Sequence, residues 1–411
     1  RAHRHRRGGP GVTRPAGQGA GPRRQIGVGV VGLGWMGRLH ARSHRGVLER
    51  WPELGAAPRL VLAADPVPEN RAAAVDHLGF AAATADWREV VTHPDVDVVS
   101  VCVPNHLHRE VALAAVEAGK PVWVEKPMGR DAAEAADIAR AAAARGLVTA
   151  VGFNYRHAPA VVHARELVRS GRLGRVTNVR VWLLADYAAS PDAPLTWRYR
   201  RATAGSGVIG DLLCHGADLA QLLAGRITAV CALTGTVVTE RPVPLRPGVG
   251  HGGHEVGRER GPVENEDHAA ALLRFASGAV GTLECSRVAR GPRAEYVVEV
   301  YGTRGSVRWN FERMGELLVD TGAGGYTTVL AEPGFGEFGR FQPSAGTAMG
   351  YDDLKTIEAA LFLRSVLTGE QHGPCAADGW SAAEVGAAVA ASAADGRWHE
   401  VPAVPGTTHD R

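Results

Sequence analysis

The chain has 411 residues, which is long enough to form two domains with separate hydrophobic cores. Hydrophobic residues make up 45% and charged residues 22% of the chain, as in a folded globular protein, and no apolar run approaches the roughly 18 residues of a membrane-spanning helix. The formal net charge is +3, but seven arginines lie within residues 1–25, so the rest of the chain is net acidic and a nucleic-acid-binding function is disfavoured.

Residues 1–25 form a basic segment rich in Arg, Gly and Pro. The segment has almost no large apolar side chains and cannot bury enough surface to fold. It also lacks the apolar stretch of a secretory signal. We expect residues 1–25 to be a disordered tail outside the fold.

Residues 26–150 alternate between short Val-rich runs and helical patterns. The predicted strands and helices, in chain order, are 26–34, 36–50, 59–64, 68–78, 96–103, 107–119, 121–124, 131–145 and 147–152. Strands that alternate with helices form a doubly wound parallel sheet. We therefore predict an N-terminal Rossmann domain over residues 26–150.

The pattern changes after residue 151, where strand-like runs follow one another. Helices are predicted at 158–170, 211–224, 351–368 and 380–395, and strands at 174–184, 227–239, 267–275, 279–288, 295–301, 305–309 and 316–320. Consecutive strands predict a C-terminal α/β domain with an open, mainly antiparallel sheet over residues 151–400. The Gly-, Pro- and Arg-rich stretch 241–263 is predicted to be a long mobile loop, and 401–411 a C-terminal tail.

A glycine motif ends the first predicted strand. Gly32 permits a tight turn, Gly34 lets a pyrophosphate approach the backbone, and Gly37 allows close packing of a helix whose N-terminus faces the phosphates. The motif follows a strand and opens a helix, which is the context in which G-x-G-x-x-G binds a dinucleotide. The expected cofactor contacts here are Gly32, Gly34, Trp35, Met36 and Gly37.

Asp65 ends the second long strand of the predicted sheet. A carboxylate there accepts hydrogen bonds from the hydroxyl groups of an adenosine ribose and repels a 2′-phosphate. Arg71, six residues later, is expected on a helix surface. The sequence therefore predicts NAD rather than NADP as cofactor, with a simple turn between Asp65 and Pro66 as the alternative.

Four motifs follow one another along the rest of the chain. They are Val103-Pro104-Asn105-His106-Leu107-His108, Glu125-Lys126-Pro127, Gly152-Phe153-Asn154-Tyr155-Arg156, and Gly207-Val208-Ile209-Gly210-Asp211-Leu212-Leu213-Cys214-His215-Gly216-Ala217-Asp218. Together they resemble the glucose–fructose oxidoreductase / inositol dehydrogenase / MocA family, above all its inositol and levoglucosan-type dehydrogenases. The resemblance covers roughly residues 26–400. It implies a Rossmann domain, a second α/β domain whose open sheet often forms a subunit interface, and a cis bond before Pro127.

Lys126, Asp211 and His215 are the predicted catalytic residues. Asp211 and His215 are four residues apart on one predicted helix face, which Asp218 continues. A histidine beside a carboxylate can be poised near neutral pH to take a proton from an alcohol. Lys126 follows a strand at the carboxyl edge of the parallel sheet, where its ammonium group can stabilise developing alkoxide charge.

The resemblance implies the same roles: Lys126 positions substrate and cofactor, Asp211 orients the substrate, and His215 transfers the proton. Without it, Lys126 remains compatible with a surface lysine, Asp211 with a helix N-cap, and His215 with an ordinary helix-face residue.

The remaining predicted contacts come from the same motifs and from the segment before the catalytic helix. Further expected cofactor contacts are Pro104, Asn105, His108, Glu125 and Lys126. Expected substrate contacts are Asn154, Tyr155, Arg156, Trp197 and Arg198, with packing as the alternative for each. His251, His254 and Glu255 match no zinc-binding spacing, so we expect no metal.

The five cysteines are far apart and form no C-x-x-C pair: Cys102, Cys214, Cys231, Cys285 and Cys375. Such spacing argues against a disulfide framework and fits the reducing cytoplasm.

These features combine into an NAD-dependent oxidoreductase that transfers a hydride between the nicotinamide and a secondary alcohol of a sugar, anhydrosugar or cyclitol. Its expected partners are a small polyol or sugar and other copies of itself, as a dimer or tetramer, with no nucleic acid or membrane. One alternative is an enzyme that retains NAD and uses internal redox for epimerisation or glycoside cleavage. Another is a non-catalytic sugar-responsive regulator, which would be expected to lack the set Lys126, Asp211 and His215.

Overall fold

The computed structural model describes residues 23–245, 255–322 and 324–409. Its first domain is a six-stranded parallel sheet in the order β3-β2-β1-β4-β5-β6. The strands are β1 (Arg24–Val31), β2 (Ala56–Ala64), β3 (Ala82–Thr84), β4 (Val98–Val101), β5 (Val122–Val124) and β6 (Thr149–Val151). Valines such as Val28 and Val99 are fully buried, as expected for strands covered on both faces. The predicted Rossmann sheet is confirmed.

Helices connect these strands and place the glycine turn at the centre of the sheet. They are α1 (Trp35–Arg50), α2 (Pro68–Ala73), α3 (Trp87–Thr92), α4 (Asn105–Glu117) and α5 (Ala132–Ala144). The strand order reverses between the neighbours β1 and β4. Ligands of open parallel sheets bind in the crevice at the carboxyl ends of strands where the order reverses.

The second domain is built on a nine-stranded sheet in the order β16-β15-β14-β13-β7-β12-β11-β8-β17. These strands are β7 (Val176–Leu184), β8 (Ile227–Gly235), β11 (His268–Phe275), β12 (Val280–Ser286), β13 (Glu295–Gly302), β14 (Ser306–Asn310), β15 (Glu316–Asp320), β16 (Thr327–Leu330) and β17 (His399–Glu400). Strands β7 and β12 pair in parallel, and the other pairs are antiparallel. The prediction of an open, mainly antiparallel sheet is confirmed.

Five helices complete the second domain and link it to the first: α6 (Pro159–Arg169), α7 (Arg201–Ala204), α8 (Cys214–Ala224), α9 (Tyr351–Thr368) and α10 (Ala376–Asp395). Helix α8 packs on the sheet at Gly216, where a Cβ would lie 2.5 Å from Cδ1 of Leu283. Ile357 and Phe362 of α9 are buried in the Rossmann core. Helix α10 contacts both α5 and α8, so the two closing helices pack against both domains.

The stretch predicted to be a mobile loop contains a hairpin. Strands β9 (Glu240–Pro244) and β10 (Val256–Pro262) pair antiparallel, so the prediction is wrong for these residues. The hairpin is anchored because Arg241 is completely buried and because the N–H of Leu195 donates to the carbonyl of Pro242 at 2.8 Å. His251 and His254 lie outside the described residues.

The structure describes most of the predicted C-terminal tail, residues 401–411, but little of the predicted N-terminal tail, residues 1–25. Residues 1–22 lie outside the described ranges, and β1 already begins at Arg24. Residues 401–409 lie against the body of the protein, where Thr408 and His409 contact α10 and the segment after β6. Within the described ranges, no helix has the length and apolar character needed to cross a membrane.

Candidate active site

The glycine turn between β1 and α1 is tight but leaves one side open. Gly32 has a φ angle of +88°, and a Cβ on it would lie 2.6 Å from the carbonyl oxygen of Cys102. A Cβ on Gly37 would lie 1.7 Å from the carbonyl oxygen of Gly32, so α1 packs directly on the turn. A Cβ on Gly34 would meet no described atom within 4 Å. The turn has the open face and helix N-terminus that suit a pyrophosphate.

Asp65 is held at the end of β2 by three hydrogen bonds. Its Oδ2 accepts from the backbone N–H of Leu33 at 2.7 Å, and its Oδ1 accepts from the N–H of Val67 at 2.9 Å and from Nδ2 of Asn70 at 3.1 Å. The carboxylate therefore fixes the glycine turn. Arg71 donates to the carbonyl oxygen of Asp65 at 2.9 Å, so its guanidinium group is engaged by the backbone.

A cavity of about 740 Å³ lies between the two domains, within the size range of small-molecule sites. From the first domain its lining includes Gly32, Gly34, Trp35, Met36, Asp65, Pro104, Asn105, His108, Glu125 and Lys126. From the second domain it includes Tyr155, Trp197, Arg198, Asp211 and His215. Most of the predicted site residues are therefore brought together, with Gly37 behind the turn.

Lys126 and Asp211 meet across this cavity although they belong to different domains. Nζ of Lys126 lies 2.8 Å from both Oδ1 and the backbone carbonyl oxygen of Asp211. The other carboxylate oxygen, Oδ2, accepts a hydrogen bond from the hydroxyl group of Tyr187 at 2.6 Å. The Lys126–Pro127 bond is cis, as the resemblance implied. Burial alone would lower the pKa of Lys126, but the adjacent Asp211 raises it above its usual value, so the ammonium form is favoured.

His215 lies on α8 beside Lys126 and Asp211 in the cavity lining. Its ring centroid is 4.6 Å from that of Tyr155, and it makes no hydrogen bond to another described residue. Burial, followed by the charge of Lys126, moves the pKa of His215 well below its usual value. The expectation that a carboxylate poises this histidine near neutral pH is wrong, because burial and the charge of Lys126 outweigh the opposite effect of Asp211. His215 is instead kept neutral, which leaves a ring nitrogen able to accept a proton.

Glu125 lines the cavity, but its carboxylate is bonded into the protein. Oε1 lies 2.6 Å from Nζ of Lys355 on α9 and 2.8 Å from Nε2 of His40 on α1. A Cβ on Gly152 would lie 2.7 Å from this carboxylate, which explains the glycine at that position. Burial alone would raise the pKa of Glu125, but Lys355 and His40 hold it below its usual value, so the carboxylate is ionised.

Comparison with known proteins places both halves of the chain in one family. Residues 26–153 match the model of an oxidoreductase family with an NAD-binding Rossmann fold, and residues 161–308 match the model of the GFO/IDH/MocA C-terminal domain. Levoglucosan dehydrogenase of Pseudarthrobacter phenanthrenivorans is 36% identical over 386 residues, which cover 92% of this chain and 99% of the relative. The chain belongs to the Gfo/Idh/MocA family of oxidoreductases.

Other members of the Gfo/Idh/MocA family agree with this assignment. Inositol 2-dehydrogenase of Rhizobium meliloti is 25% identical over 373 residues, which cover 90% of this chain and 97% of the relative. A solved structure of levoglucosan dehydrogenase in complex with NADH and levoglucosan has a TM-score of 0.86 and 36% identity, covering 92% of this chain and 100% of that chain. The chain is thus an NAD-binding oxidoreductase of this family.

Two of the predicted substrate contacts, Asn154 and Arg156, do not line the cavity. Arg156 is buried and bonded to Asp218, with Nε 2.7 Å from Oδ2, and it also lies near Asp378. Asn154 is completely buried, and no described residue hydrogen-bonds its side chain. The structure therefore does not bring either residue to the expected substrate contact. For Arg156 the reason is that a buried guanidinium group requires carboxylate partners. Tyr155, between them, does reach the cavity.

The cavity also contains residues that the sequence analysis did not select: Tyr187, Tyr199, Arg287, Tyr296 and Tyr351. They come from separate loops and turns, from strand β13 and from the start of helix α9, and none belongs to a short motif. Clusters of three or more side chains suited to metal binding are absent from the described part of the chain. The sequence around each of these Tyr and Arg residues has no distinctive pattern, so no local signal could have identified them as cavity residues.

Proposed function

We propose that this family member is an NAD-dependent dehydrogenase acting on a secondary alcohol of a sugar, anhydrosugar or cyclitol. The proposal rests mainly on one observation: Lys126, Asp211 and His215 line a single cavity together with the open glycine turn. The relatives named above act, by their names, on levoglucosan and inositol. Both are ring compounds with several hydroxyl groups, which sets the proposed substrate class.

The protein side chains supply the proton chemistry of this reaction. When bound, NAD would supply the acceptor for the hydride that leaves the alcohol carbon. His215 takes the hydroxyl proton, because burial favours its uncharged ring, in which one nitrogen can accept a proton. The ammonium group of Lys126 donates to the substrate oxygen and stabilises negative charge as it develops. Asp211 holds Lys126 and orients a neighbouring hydroxyl group.

Residues at the other end of the cavity are proposed to hold the dinucleotide. The glycine turn binds the pyrophosphate, and Asp65 accepts from the adenosine ribose while repelling a 2′-phosphate. Asp65 keeps this capacity in addition to its three protein hydrogen bonds, since a carboxylate has about four acceptor positions. Pro104, Asn105 and His108 are proposed to surround the remaining part of the cofactor.

A screen for cofactor reduction tests the proposal. Purified protein is incubated with NAD or NADP and with inositols, aldoses, anhydrosugars or glycosides, and NADH formation is followed by absorbance. We expect steady NADH formation with at least one polyol, and calorimetry should show tighter binding of NAD than of NADP. Substrate conversion without net NADH, with NAD retained through purification, would instead indicate internal redox. NAD binding without any conversion would indicate a regulator.

We also infer that the protein assembles with other copies of itself. The sheet face opposite α8 exposes Leu233, Leu272 and Val280 by more than half of their surface. Apolar patches on a sheet face are typical of protein interfaces. All five cysteines are free thiols, which agrees with the reducing cytoplasm proposed as its location.

A further inference from the structure

We propose that Tyr187 is a positioning residue for Asp211, and that the β9–β10 hairpin holds Tyr187 in place through Arg241. This inference rests on the proposed function, because it explains how one member of the catalytic set is kept in its working orientation. Neither residue belongs to any of the motifs that indicated the family.

The carboxylate of Asp211 is held from both sides. Oδ1 accepts from the ammonium group of Lys126 at 2.8 Å, and Oδ2 accepts from the hydroxyl group of Tyr187 at 2.6 Å. A hydrogen bond to an ionised carboxylate is shorter and stronger than one between neutral groups. With a donor on each oxygen, the carboxylate cannot rotate without breaking a bond, so the direction of the Lys126 ammonium group is also fixed.

Tyr187 remains a hydrogen-bond donor over the whole working pH range. Burial, followed by the charge of Asp211, raises the pKa of its hydroxyl group well above the usual value. Its ring packs between the main core of the second domain and a small cluster that contains Ala188, Leu195 and Tyr199. The side chain is therefore fixed at its ring as well as at its hydroxyl group.

The backbone that carries Tyr187 is fixed by the hairpin. Arg241 of β9 donates from Nη2 to the carbonyl oxygen of Ala188 at 2.6 Å and from Nη1 to that of Ser190 at 2.8 Å. On the other side, the N–H of Ala188 donates to the carbonyl oxygen of Arg287 at 2.9 Å. Arg241 is completely buried, and its guanidinium carbon lies 4.3 Å from the ring centroid of Tyr199. The hairpin thus joins the cavity wall through a buried cation.

An unbroken series of side-chain and backbone contacts links the hairpin to the proposed reaction centre. Arg241 fixes the chain at Ala188, the adjacent Tyr187 holds Asp211, and Asp211 holds Lys126. Small errors in the position of reacting groups reduce turnover by about 10- to 100-fold. We therefore expect loss of the Tyr187 hydroxyl group to reduce kcat by about tenfold or more, without a comparable change in NAD affinity.

The first variant, Tyr187→Phe, removes only the hydroxyl group. Its matched control is Tyr301→Phe, because Tyr301 also donates to a carboxylate, Oε2 of Glu299 at 2.8 Å, but lies outside the cavity lining. We expect Tyr187→Phe to lower kcat and to move the acid limb of its pH profile to higher pH, since an ionised carboxylate that loses a donor is protonated more easily. Tyr301→Phe should change neither.

The second pair of variants tests the hairpin. Arg241→Met removes the buried anchor, and Arg260→Met removes an exposed hairpin arginine that donates to the carbonyl oxygens of Pro191 and Glu240. We expect Arg241→Met, or the milder Arg241→Lys if the first variant does not fold, to reproduce the loss of kcat and the shift of the acid limb. Arg260→Met should retain wild-type values of both.

The decisive measurement does not depend on turnover. Asp211 is titrated by carbon NMR in protein labelled at the aspartate carboxyl groups, with Asp211→Asn to assign its signal. A rise of the titration midpoint in Tyr187→Phe, but not in Tyr301→Phe, supports the inference, whereas an unchanged midpoint overturns it. A loss of kcat in Tyr187→Phe with an unchanged pH profile also overturns it. If none of the polyols tested supports reduction of NAD by wild-type protein, the proposed function fails. The titration of Asp211 still decides the role of Tyr187 in that case.

Discussion

Lys126 and His215 share one cavity, but their surroundings favour opposite charge states. The carboxylate of Asp211 keeps Lys126 in its ammonium form, whereas burial and the nearby ammonium group keep His215 neutral. Pairs of titratable groups whose environments separate their pKa values are typical of acid–base sites. At neutral pH the pair presents one charged donor and one uncharged proton acceptor, which is what removal of a proton from an alcohol requires.

Loss of either residue is therefore expected to affect turnover more than cofactor binding. We expect His215→Ala and Lys126→Ala to lower kcat by about 10²–10⁴-fold, which is the usual contribution of a positioned proton-transfer group. Affinity for NAD, measured by calorimetry, should stay near the wild-type value, because the glycine turn and Asp65 are the residues proposed to hold the dinucleotide. Activity of His215→Ala within a few-fold of wild type would refute its role as base. Loss of NAD binding would show that the residue supports the cofactor site or the fold.

Glu358 is a buried carboxyl group outside the proposed chemistry, and it should make stability depend on pH. It lies 2.8 Å from Nζ of Lys355, which is also 2.6 Å from the carboxylate of Glu125. Burial, opposed by Lys355 and assisted by the charge of Glu125, raises the pKa of Glu358 from 4.5 to about 8. The native protein therefore retains a proton that the unfolded chain releases, so the free energy of unfolding falls as the pH rises from about 4.5 to about 8.

The variant Glu358→Gln replaces the protonated carboxyl group with a neutral amide and should remove this dependence. Compared with wild type, we expect the variant to gain at least about 1 kcal/mol in relative stability between pH 5 and pH 8, measured by urea unfolding. Glu370→Gln, an exposed change near the end of the same helix, is the control and should follow wild type. Parallel curves for wild type and Glu358→Gln would contradict the protonated state of Glu358.

At the scale of elements, a π-helical turn sets the direction of Asp211. Residues Ile209–Leu213 form this turn, and α8 continues from it with His215 in its first turn. The wider turn alters the angular spacing between the two residues relative to a regular α-helix, and such turns are frequent at functional sites. The sequence predicted one regular helix here because hydrophobic periodicity does not reveal a single wide turn.

The C-terminal segment is a second element whose contacts lead back to the site. Oγ1 of Thr408 accepts from Nη1 of Arg156 at 2.7 Å and donates to Oδ2 of Asp378 at 2.7 Å. Arg156 in turn pairs with Asp218, which is three residues from His215 on α8. The segment thus completes a buried group of charges behind helix α8, which carries His215.

Removal of one hydroxyl group tests this contribution. Thr408→Val removes one hydrogen bond from Arg156 and one from Asp378. Lost hydrogen bonds of buried charged groups are costly in the protein interior. We expect the apparent Tm in thermal unfolding to fall by a few degrees. Thr407→Val alters the adjacent residue, whose side chain makes no hydrogen bond within the described residues, and should have little effect. Equal Tm values for the two variants would show that the segment only covers the surface.

At the scale of the whole molecule, the cavity forms because the C-terminal helices α9 and α10 pack back against the first domain and hold the two domains together. Helix α9 packs in the Rossmann core and contributes Lys355 to Glu125, while α10 bridges α5 and α8. These contacts hold Lys126 of one domain within 2.8 Å of Asp211 of the other. The arrangement required for the proposed reaction is thus a property of the packed domains and not of either sheet alone.

Features that depend on local pattern were determined by the sequence alone. The glycine turn, the position of Asp65 and the alternation of Val-rich strands with helices follow from short-range sterics and hydrophobic periodicity, and the structure agrees with them. The family motifs likewise selected Lys126, Asp211 and His215, which the fold brings to one cavity.

Only the tertiary structure decided which neighbours in sequence face the cavity and which face the core. Tyr155 reaches the cavity while the adjacent Arg156 pairs with Asp218, and Tyr187 meets Asp211 although no motif connects them. The hairpin at Arg241 and the neutral state of His215 were also not readable from the chain. Each depends on burial and on partners tens to hundreds of residues away, because the cost of burying a polar or charged group is set by the atoms that surround it in the folded protein.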